Sequence, residues 1–160
     1  MIRAKKSLGQ NFLIDKNIIE KIINITNIEN KIVLEIGPGT GSLTSFILKK
    51  KPKKIFVIEK DTELAINLKD KFNNQLIIVN DDVLKIDETN LFNNKVIVFG
   101  NLPYNISTEI LTKWIINLKD KFWFESLILM FQKEVADRII AEFNTSNYGR
   151  LSIISNWKLN

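Results

Sequence analysis

The stretch "KIVLEIGPGTGSLTSFILKKK", residues 31–51, decides the fold. It opens with a short apolar run, passes through Gly37, Gly39 and Gly41, and closes with apolar residues at helical spacing before Pro52. A strand, a glycine turn and a helix in this order begin a β–α–β unit. Glycines permit positive φ and a close approach of the backbone to a ligand. The turn predicts either a nucleoside-type ligand or a plain tight connection, and its spacing differs from the dinucleotide fingerprint G-x-G-x-x-G.

Strands and helices alternate along the rest of the chain. The predicted strands are 31–37, 54–59, 75–80, 95–100, 123–131 and 150–159. The predicted helices are 15–28, 41–51, 61–72, 107–118 and 132–143. Near-continuous Ile and Val runs between helices indicate a parallel sheet covered on both faces. We therefore predict an α/β, doubly wound, mostly parallel sheet, in which ligands lie beyond the carboxyl ends of the strands.

Composition limits the chemistry. The chain has 160 residues, 45% of them hydrophobic and 26% charged, as expected of a single soluble globular domain. It contains no cysteine and no histidine, which excludes disulfides, thiolate metal sites and imidazole bases. No signal-peptide core or membrane-length run is present, so a cytoplasmic location is the default expectation.

The net charge of +5 permits a polyanionic partner. Basic residues cluster in three places: Arg3, Lys5 and Lys6; the run "KKKPKK" at 49–54; and Lys133, Arg138 and Arg150. For the lysine run, a solvated helix end is an equally good explanation, because cations suit the carboxyl end of a helix dipole.

Acidic residues follow the second and third strands. Glu59 ends the second strand, 18 residues after Gly41, where a carboxylate is well placed to accept hydrogen bonds from ribose hydroxyls. The alternative is a capping or ion-paired glutamate beside Lys60. Asp81 and Asp82 follow the third strand, and either is able to accept from an adenine amino group. Periodicity does not choose between them, and a capping role fits equally well.

The fourth strand runs into "FGNLPYNIS", residues 99–107. The Asn101 amide oxygen and the Leu102 carbonyl are both able to accept from one exocyclic amino group. Pro103 fixes its own φ and restricts Leu102, and Tyr104 offers a face for a ring to stack on. This combination predicts a clamp for an amino group held for attack, with a turn carrying a core tyrosine as the alternative.

Together these residues carry a family resemblance. "EIGPGTGSLT", "VIEKD" and "FGNLPYNIST" resemble the class I S-adenosylmethionine-dependent methyltransferases, and within them the ribosomal RNA adenine N6,N6-dimethyltransferases. "KKSLGQNFLIDKNII" and "MFQKEVADRI…YGRLSI" resemble that family as well, so the likeness covers essentially the whole chain. It implies a Rossmann-like fold and two methyl transfers to each of two adjacent adenosines near the 3′ end of small-subunit rRNA, in support of ribosome biogenesis.

The resemblance also implies roles for individual residues. The amino group is held by Asn101, Leu102, Pro103 and Tyr104. The cofactor S-adenosylmethionine, which leaves as S-adenosylhomocysteine, is bound without a metal by Asn11, Leu13, Gly37, Gly39, Gly41, Glu59, Asp82 and Asn101. The segment "QNFL" at 10–13 becomes a lid over the cofactor. We assign contacts with rRNA or an assembling small subunit to Arg3, Lys5, Lys6, Lys133, Arg138 and Arg150.

The resemblance also sets the expected extent of the domain. Family members continue well beyond residue 160, through a last strand and a small helical domain. We therefore expect one methyltransferase domain over 1–160, with a lid and helix at 1–28 and an incomplete α/β core at 29–160. Family members are expected to be monomers. A final strand at 150–159 without its usual neighbour would favour association between chains.

Three other functions compete with this one. Large-subunit rRNA adenine methyltransferases of the macrolide-resistance type share the glycine loop and a similar Asn-x-Pro-Tyr motif. A non-catalytic RNA-binding assembly factor would keep the fold. A nicotinamide oxidoreductase has the wrong glycine spacing and leaves "NLPY" unexplained. The missing cysteine also disfavours methylation at pyrimidine C5, which usually needs a cysteine nucleophile.

Overall fold

A computed structural model describes residues 9–118 and 122–159. Its centre is a five-stranded sheet in the order β3-β2-β1-β4-β5, in which every pairing is parallel. The strands are β1 (Ile32–Ile36), β2 (Lys54–Ile58), β3 (Ile77–Val79), β4 (Val96–Asn101) and β5 (Phe124–Met130). The predicted parallel α/β sheet is confirmed. Strand order reverses between β1 and β4, so a crevice opens at their carboxyl ends.

Six α-helices accompany the sheet in the described residues. They are α1 (Lys16–Ile23), α2 (Ser42–Lys49), α3 (Thr62–Phe72), α4 (Ser107–Ile116), α5 (Lys133–Ile139) and α6 (Arg150–Lys158). Side chains of Asp15 and Asp61 accept backbone N–H groups at the starts of α1 and α3, which satisfies donors that a helix leaves free. Both residues stand at the predicted starts of these helices, at 15 and 61.

Two apolar clusters cover the two faces of the sheet. One joins α1, α2 and α3 to Val33, Val57 and Phe99, all of which are fully buried. The other joins α4 to Leu34, Val98 and neighbouring strand residues. Alternate residues of β1 and β4 thus enter opposite clusters, which explains their near-continuous hydrophobicity.

A buried ion pair fixes the segment between β3 and β4 to α4. The Lys113 ammonium donates to the Glu88 carboxylate at 2.9 Å and to the carbonyls of Val83 and Ile86. The Trp114 indole N–H donates to the same carboxylate at 2.7 Å. Glu88 is 3% exposed, so these partners satisfy a charge that would otherwise be costly to bury.

The predicted strand at 150–159 is wrong, because the structure places α6 there. Ser152 and Ser155 are its buried residues, spaced three apart, whereas Ile153 and Trp157 are exposed. The Ser152 hydroxyl accepts from the Gly149 N–H and donates to the Arg138 carbonyl, which holds the first turn. Inward-facing serines do not produce the apolar period by which a helix is recognised.

This correction removes the basis for the predicted association through a final strand. Residues 150–158 offer a helix instead of a strand edge. The outer strands of the sheet are β3 and β5. No helix in the described part of the chain combines the length and apolar character that crossing a membrane requires.

Candidate functional site

A cleft of about 810 Å³, open to solvent, lies at the carboxyl ends of β1, β2 and β4. Its lining combines the ends of these strands with residues 9–12 and with the segment after β3. The predicted site residues that line it are Asn11, Gly37, Gly39, Glu59, Asp82, Asn101 and Pro103. Leu13 lines a smaller adjoining pocket of about 290 Å³, together with Asn11, Gly37, Gly39 and Asn101.

Gly37 and Gly39 present their backbones to the cleft. Gly37 has φ 63°, and the nearest atom to an added Cβ would be the Asn101 carbonyl oxygen at 3.8 Å. The space beside Gly37 is therefore open to a ligand. Gly39 has φ 56°, and its added Cβ would lie 2.9 Å from the Phe12 ring. The structure thus places Gly39 beneath the segment at 9–12.

Gly41 has a different environment. It lines neither the cleft nor the adjoining pocket. It precedes α2 with φ 76°, and an added Cβ would lie 2.5 Å from Phe72 and 2.9 Å from Leu68. The structure therefore places Gly41 where α2 packs against α3. Its predicted cofactor contact finds no support in this position.

The Glu59 carboxylate is buried, with 6% of the residue exposed. Its Oε1 accepts from the Asp61 N–H at 2.9 Å, and its Oε2 accepts from the Gly39 N–H at 3.1 Å. Burial raises the pKa of Glu59 above its usual value, while these two hydrogen bonds act in the opposite direction. A carboxylate has about four acceptor sites, so Glu59 is able to accept a hydroxyl proton from a ligand in the cleft in addition to its backbone partners.

Lys60 pairs with the neighbouring loop instead of with Glu59. Its ammonium lies 2.8 Å from Asp82 Oδ2, and this hydrogen bond is the main reason that the pKa of Asp82 is lowered. Asp82 Oδ1 accepts from the Leu84 N–H, which begins a 3₁₀ turn. Asp81 also lines the cleft and accepts from the Asp82 N–H. Both candidate aspartates thus lie at this wall, and Lys60 fixes Asp82 there.

The motif at 101–104 leaves β4 at the rim of the cleft. Pro103 lines the cleft, and Tyr104 is 41% exposed. The Leu102 side chain is 1% exposed and packs in the core, so any contact it makes with a substrate is through its carbonyl. The motif therefore combines one residue anchored in the core with an accessible aromatic ring.

Residues 9–12, hereafter the strap, connect this motif to the glycine loop. The Asn101 Nδ2 donates to the Asn11 carbonyl at 2.6 Å. A carbonyl only accepts, so this contact fixes the amide of Asn101 with its Oδ1 turned away from the strap carbonyl. The Asn11 Nδ2 donates to the Tyr104 hydroxyl at 2.8 Å. The strap therefore orients the two polar side chains of the motif.

Sequence reasoning missed Glu35, which lines the adjoining pocket. It is 2% exposed, and its Oε2 accepts from the Thr44 hydroxyl at 2.7 Å. Burial raises the pKa of Glu35 to about 7. The sequence did contain a signal for it, a charged residue inside the apolar run of β1, which the sequence analysis did not use.

The strap residues Gln10 and Phe12 were predicted only as part of a lid. The Gln10 side chain donates to Asp61 at 3.3 Å, and the Phe12 ring lies against Gly39. Both contacts depend on residues far away in sequence, so no local pattern marked their partners.

The predicted RNA-contacting residues fall into two sets. Lys133, Arg138 and Arg150 lie on α5 and α6, and all three are exposed. Lys133 forms a surface ion pair with Asp137 at 3.0 Å. Arg3, Lys5 and Lys6 lie outside the described residues. Within residues 9–118 and 122–159, no group of three or more Asp or Glu side chains is arranged to hold a metal ion.

A comparison with known protein families shows which family this chain belongs to. The family model for ribosomal RNA adenine dimethylase matches residues 1–160. The chain belongs to this family. Ribosomal RNA small subunit methyltransferase A of Pelagibacter ubique is 68% identical over 159 residues, which cover 99% of this chain and 61% of that protein. The chain thus spans about three-fifths of the length of this relative.

Solved structures of other methyltransferases share the fold of this dimethylase-family chain. A dimethyladenosine transferase from Plasmodium falciparum is 34% identical, with a TM-score of 0.77, over 90% of this chain and 51% of that chain. The 23S rRNA methyltransferase ErmE is 27% identical, with a TM-score of 0.71, over 91% of this chain and 55% of that chain. The predicted Rossmann-like class I methyltransferase fold is confirmed.

Proposed function

We propose that this chain forms the catalytic part of an S-adenosylmethionine-dependent enzyme that dimethylates N6 of two adjacent adenosines in small-subunit rRNA. The observation that supports this most is the amide of Asn101, whose Nδ2 donates to the strap carbonyl of Asn11, while the Asn11 side chain donates to Tyr104. Asn101 lines the cleft together with the glycine backbone and Glu59. The family relationship points to the same reaction.

The cleft fits a nucleoside-containing cofactor in its chemistry. Backbone of the glycine loop, carboxylates and apolar side chains line it together. Gly37 leaves open space beside its backbone, and the Glu59 carboxylate retains lone pairs for ribose hydroxyls. Asp82 would accept from the adenine amino group, and Asn11 and Leu13 would close over the bound molecule. S-adenosylmethionine, when bound, supplies an activated methyl group on its sulfonium.

The residues at 101–104 would prepare the target amine. The nitrogen lone pair of an adenine amino group is delocalised into the ring. Acceptance of its protons by Asn101 Oδ1 and the Leu102 carbonyl would favour a pyramidal nitrogen and free that lone pair. Pro103 would hold the turn rigid, and Tyr104 would stack on the adenine ring. Positioning and polar stabilisation then supply most of the rate enhancement.

No side-chain base is needed at the motif. Methyl transfer leaves the adenine nitrogen with a positive charge. This cation is a strong acid, so it releases a proton to water without a histidine. The strap would cover the cleft between Gly39 and Asn101 and so hold the cofactor in place. For the second transfer, the amine already carries one methyl group and has one proton left for the two acceptors.

The proposed partner is rRNA within an assembling small ribosomal subunit in the cytoplasm. The target base would leave its stack to reach the cleft. Exposed Lys133, Arg138 and Arg150 would contact phosphates beside it. Activity of this chain would be tested with S-adenosylmethionine carrying a labelled methyl group and small subunits that lack the modification. Nuclease digestion should then yield labelled N6,N6-dimethyladenosine, and Asn101→Ala should abolish it.

A second candidate substrate follows from the likeness to ErmE, which is described as a 23S rRNA methyltransferase. The same assay with protein-free 23S rRNA distinguishes methylation of small-subunit rRNA from methylation of 23S rRNA. Label in 23S rRNA alone would favour the large-subunit reaction. Label in neither RNA, together with cofactor binding, would favour an RNA-binding role without catalysis.

A further inference from the structure

The end of the sheet opposite the cleft carries a second charged surface. Parallel strands share one amino edge, and a lysine precedes or begins each of the three central strands. These are Lys54 in β2, Lys31 before β1 and Lys95 before β4. The register pairs Ile32 with Lys54, so the first two are neighbours across the sheet.

The run at 49–54 joins the same edge. The Lys53 N–H donates to the Lys31 carbonyl at 2.8 Å, and the Asn30 N–H donates to the Lys51 carbonyl at 3.1 Å. These two bonds hold the connection between α2 and β2 against the residues before β1. The amino-edge lysines are Lys31, Lys49, Lys50, Lys51, Lys53, Lys54 and Lys95, and all seven are exposed.

Three of these seven lysines have uncharged side-chain partners. Among residues 9–118 and 122–159, Lys31 is the one amino-edge lysine within 4.0 Å of a carboxylate, that of Glu125. Lys50 donates to the Asn24 amide oxygen, and the Lys49 and Lys95 ammonium groups lie over the Phe46 and Phe122 rings. The cluster therefore repels itself and attracts polyanions.

A helix-end role accounts for only part of the set. Cations at the carboxyl end of α2 suit its dipole, which covers Lys49 and Lys50. Lys31, Lys54 and Lys95 belong to strand starts, where no helix dipole favours a cation. Because the positive charge comes from three separate chain segments, the end of one helix does not explain this surface.

We propose that the amino-edge lysines bind RNA phosphates, at a surface distinct from the cleft and from α5 and α6. The proposal rests on the proposed function for the identity of the polyanion. A five-residue strand at about 3.3 Å per residue separates the two edges by roughly 17 Å. The strand length of β1 thus places the lysines too far away to serve the target nucleotide itself. They would hold a second RNA segment while the target base enters the cleft.

The test measures RNA affinity of this chain against salt concentration by fluorescence anisotropy, with a labelled RNA hairpin as probe. The variant Lys49→Gln/Lys51→Gln/Lys53→Gln removes three charges from the surface. Its matched control, Lys16→Gln/Lys69→Gln/Lys85→Gln, removes three exposed lysines scattered over other elements. An arginine version of the first triple keeps the charge.

The surface triple should bind the hairpin at least about 10-fold more weakly at 0.1 M salt. The slope of log affinity against log salt should become shallower by about 2, since each lost phosphate contact removes about 0.7 to 0.9. The control triple should change affinity by less than about 3-fold, and the arginine triple should restore it. Cofactor affinity should be the same in all three variants.

Equal losses in the two glutamine triples, or no loss in either, would overturn the proposal. Loss of binding to phosphatidylglycerol vesicles with RNA affinity unchanged would overturn it in favour of a membrane surface. A surface triple that binds RNA normally, in a chain that still binds cofactor and methylates RNA, refutes this inference alone. A wild-type chain that binds cofactor and does not bind RNA refutes both this inference and the RNA part of the proposed function.

Discussion

The two sides of the cleft are built differently. On the glycine-loop side, Glu35 and Glu59 are buried, and the Glu59 carboxylate is held by backbone N–H groups of the core. On the other side, Asn101 and Tyr104 are held by the strap through accessible hydrogen bonds. The glycine-loop side, where we propose that the cofactor binds, is thus fixed by folding itself. The opposite side, where we propose that the target amine binds, is completed only when the strap lies in place.

The largest effect is expected at Asn101. Asn101→Ala removes the amide oxygen proposed to accept from the target amine, so methyl transfer should fall about 10³-fold. Cofactor affinity should fall far less, because the glycine-loop side stays intact. Steady-state methyl transfer and calorimetry measure the two. Asn67→Ala, on exposed α3 surface, is the matched control. A comparable loss of activity in that control would remove the special role of Asn101.

The second largest effect is expected at Gly41, where a side chain should cost more stability than at Gly37. Gly41→Ala forces a side chain onto Phe72 at a positive φ, and should lower the free energy of unfolding by about 3 to 4 kcal/mol. Gly37→Ala meets open space, and should cost about 1 to 2 kcal/mol through its φ while weakening cofactor binding. Urea unfolding and calorimetry test this contrast. Equal stability losses would show that the two glycines have the same role.

Glu35 gives the glycine-loop side a pH dependence. Its pKa in the folded chain is about 7, against 4.5 for an unperturbed glutamate. The folded state therefore keeps a proton that the unfolded state releases, so this group lowers the free energy of unfolding as pH rises from about 4.5 to about 7.

Glu35→Gln should accordingly stabilise the chain by about 2 to 3 kcal/mol at pH 8 and change little at pH 4.5. Urea midpoints measured across this range test the difference. Glu20→Gln, an exposed control, should follow the wild type throughout. A gain of equal size at both pH values would show that the carboxyl proton is not responsible.

The smallest effect is expected on the strap side. Asn11→Ala and Tyr104→Phe each remove one partner of the 2.8 Å hydrogen bond, and each should lower methyl transfer about 5- to 10-fold. The double variant should be no worse than either single one, because the same bond is lost. Asn11→Asp should recover activity, since the phenol is able to donate to a carboxylate. Strictly multiplicative losses would show that the two residues act independently.

Local sequence patterns predicted the five strands of the sheet and the helices α1 to α5. Apolar runs bounded by glycines and by Asp61 reflect burial and capping, which are local properties. The helix α6 was missed because its buried positions are Ser152 and Ser155. The lid at 10–13 came from the family resemblance, whereas its contacts with Asn101 and Tyr104 join residues about 90 positions apart. Hydrogen bonds between residues so far apart produce no periodic pattern in the sequence.

The most direct test of the account is calorimetric titration of this chain with S-adenosylmethionine, beside Glu59→Gln and Glu59→Ala. We predict one site per chain in the wild type and affinity at least about 10-fold weaker in both variants, because the proposed buried acceptor for ribose is lost. Circular dichroism would show that both variants remain folded. A folded wild-type chain that does not bind the cofactor, or Glu59 variants that bind it as tightly as the wild type, would contradict the account.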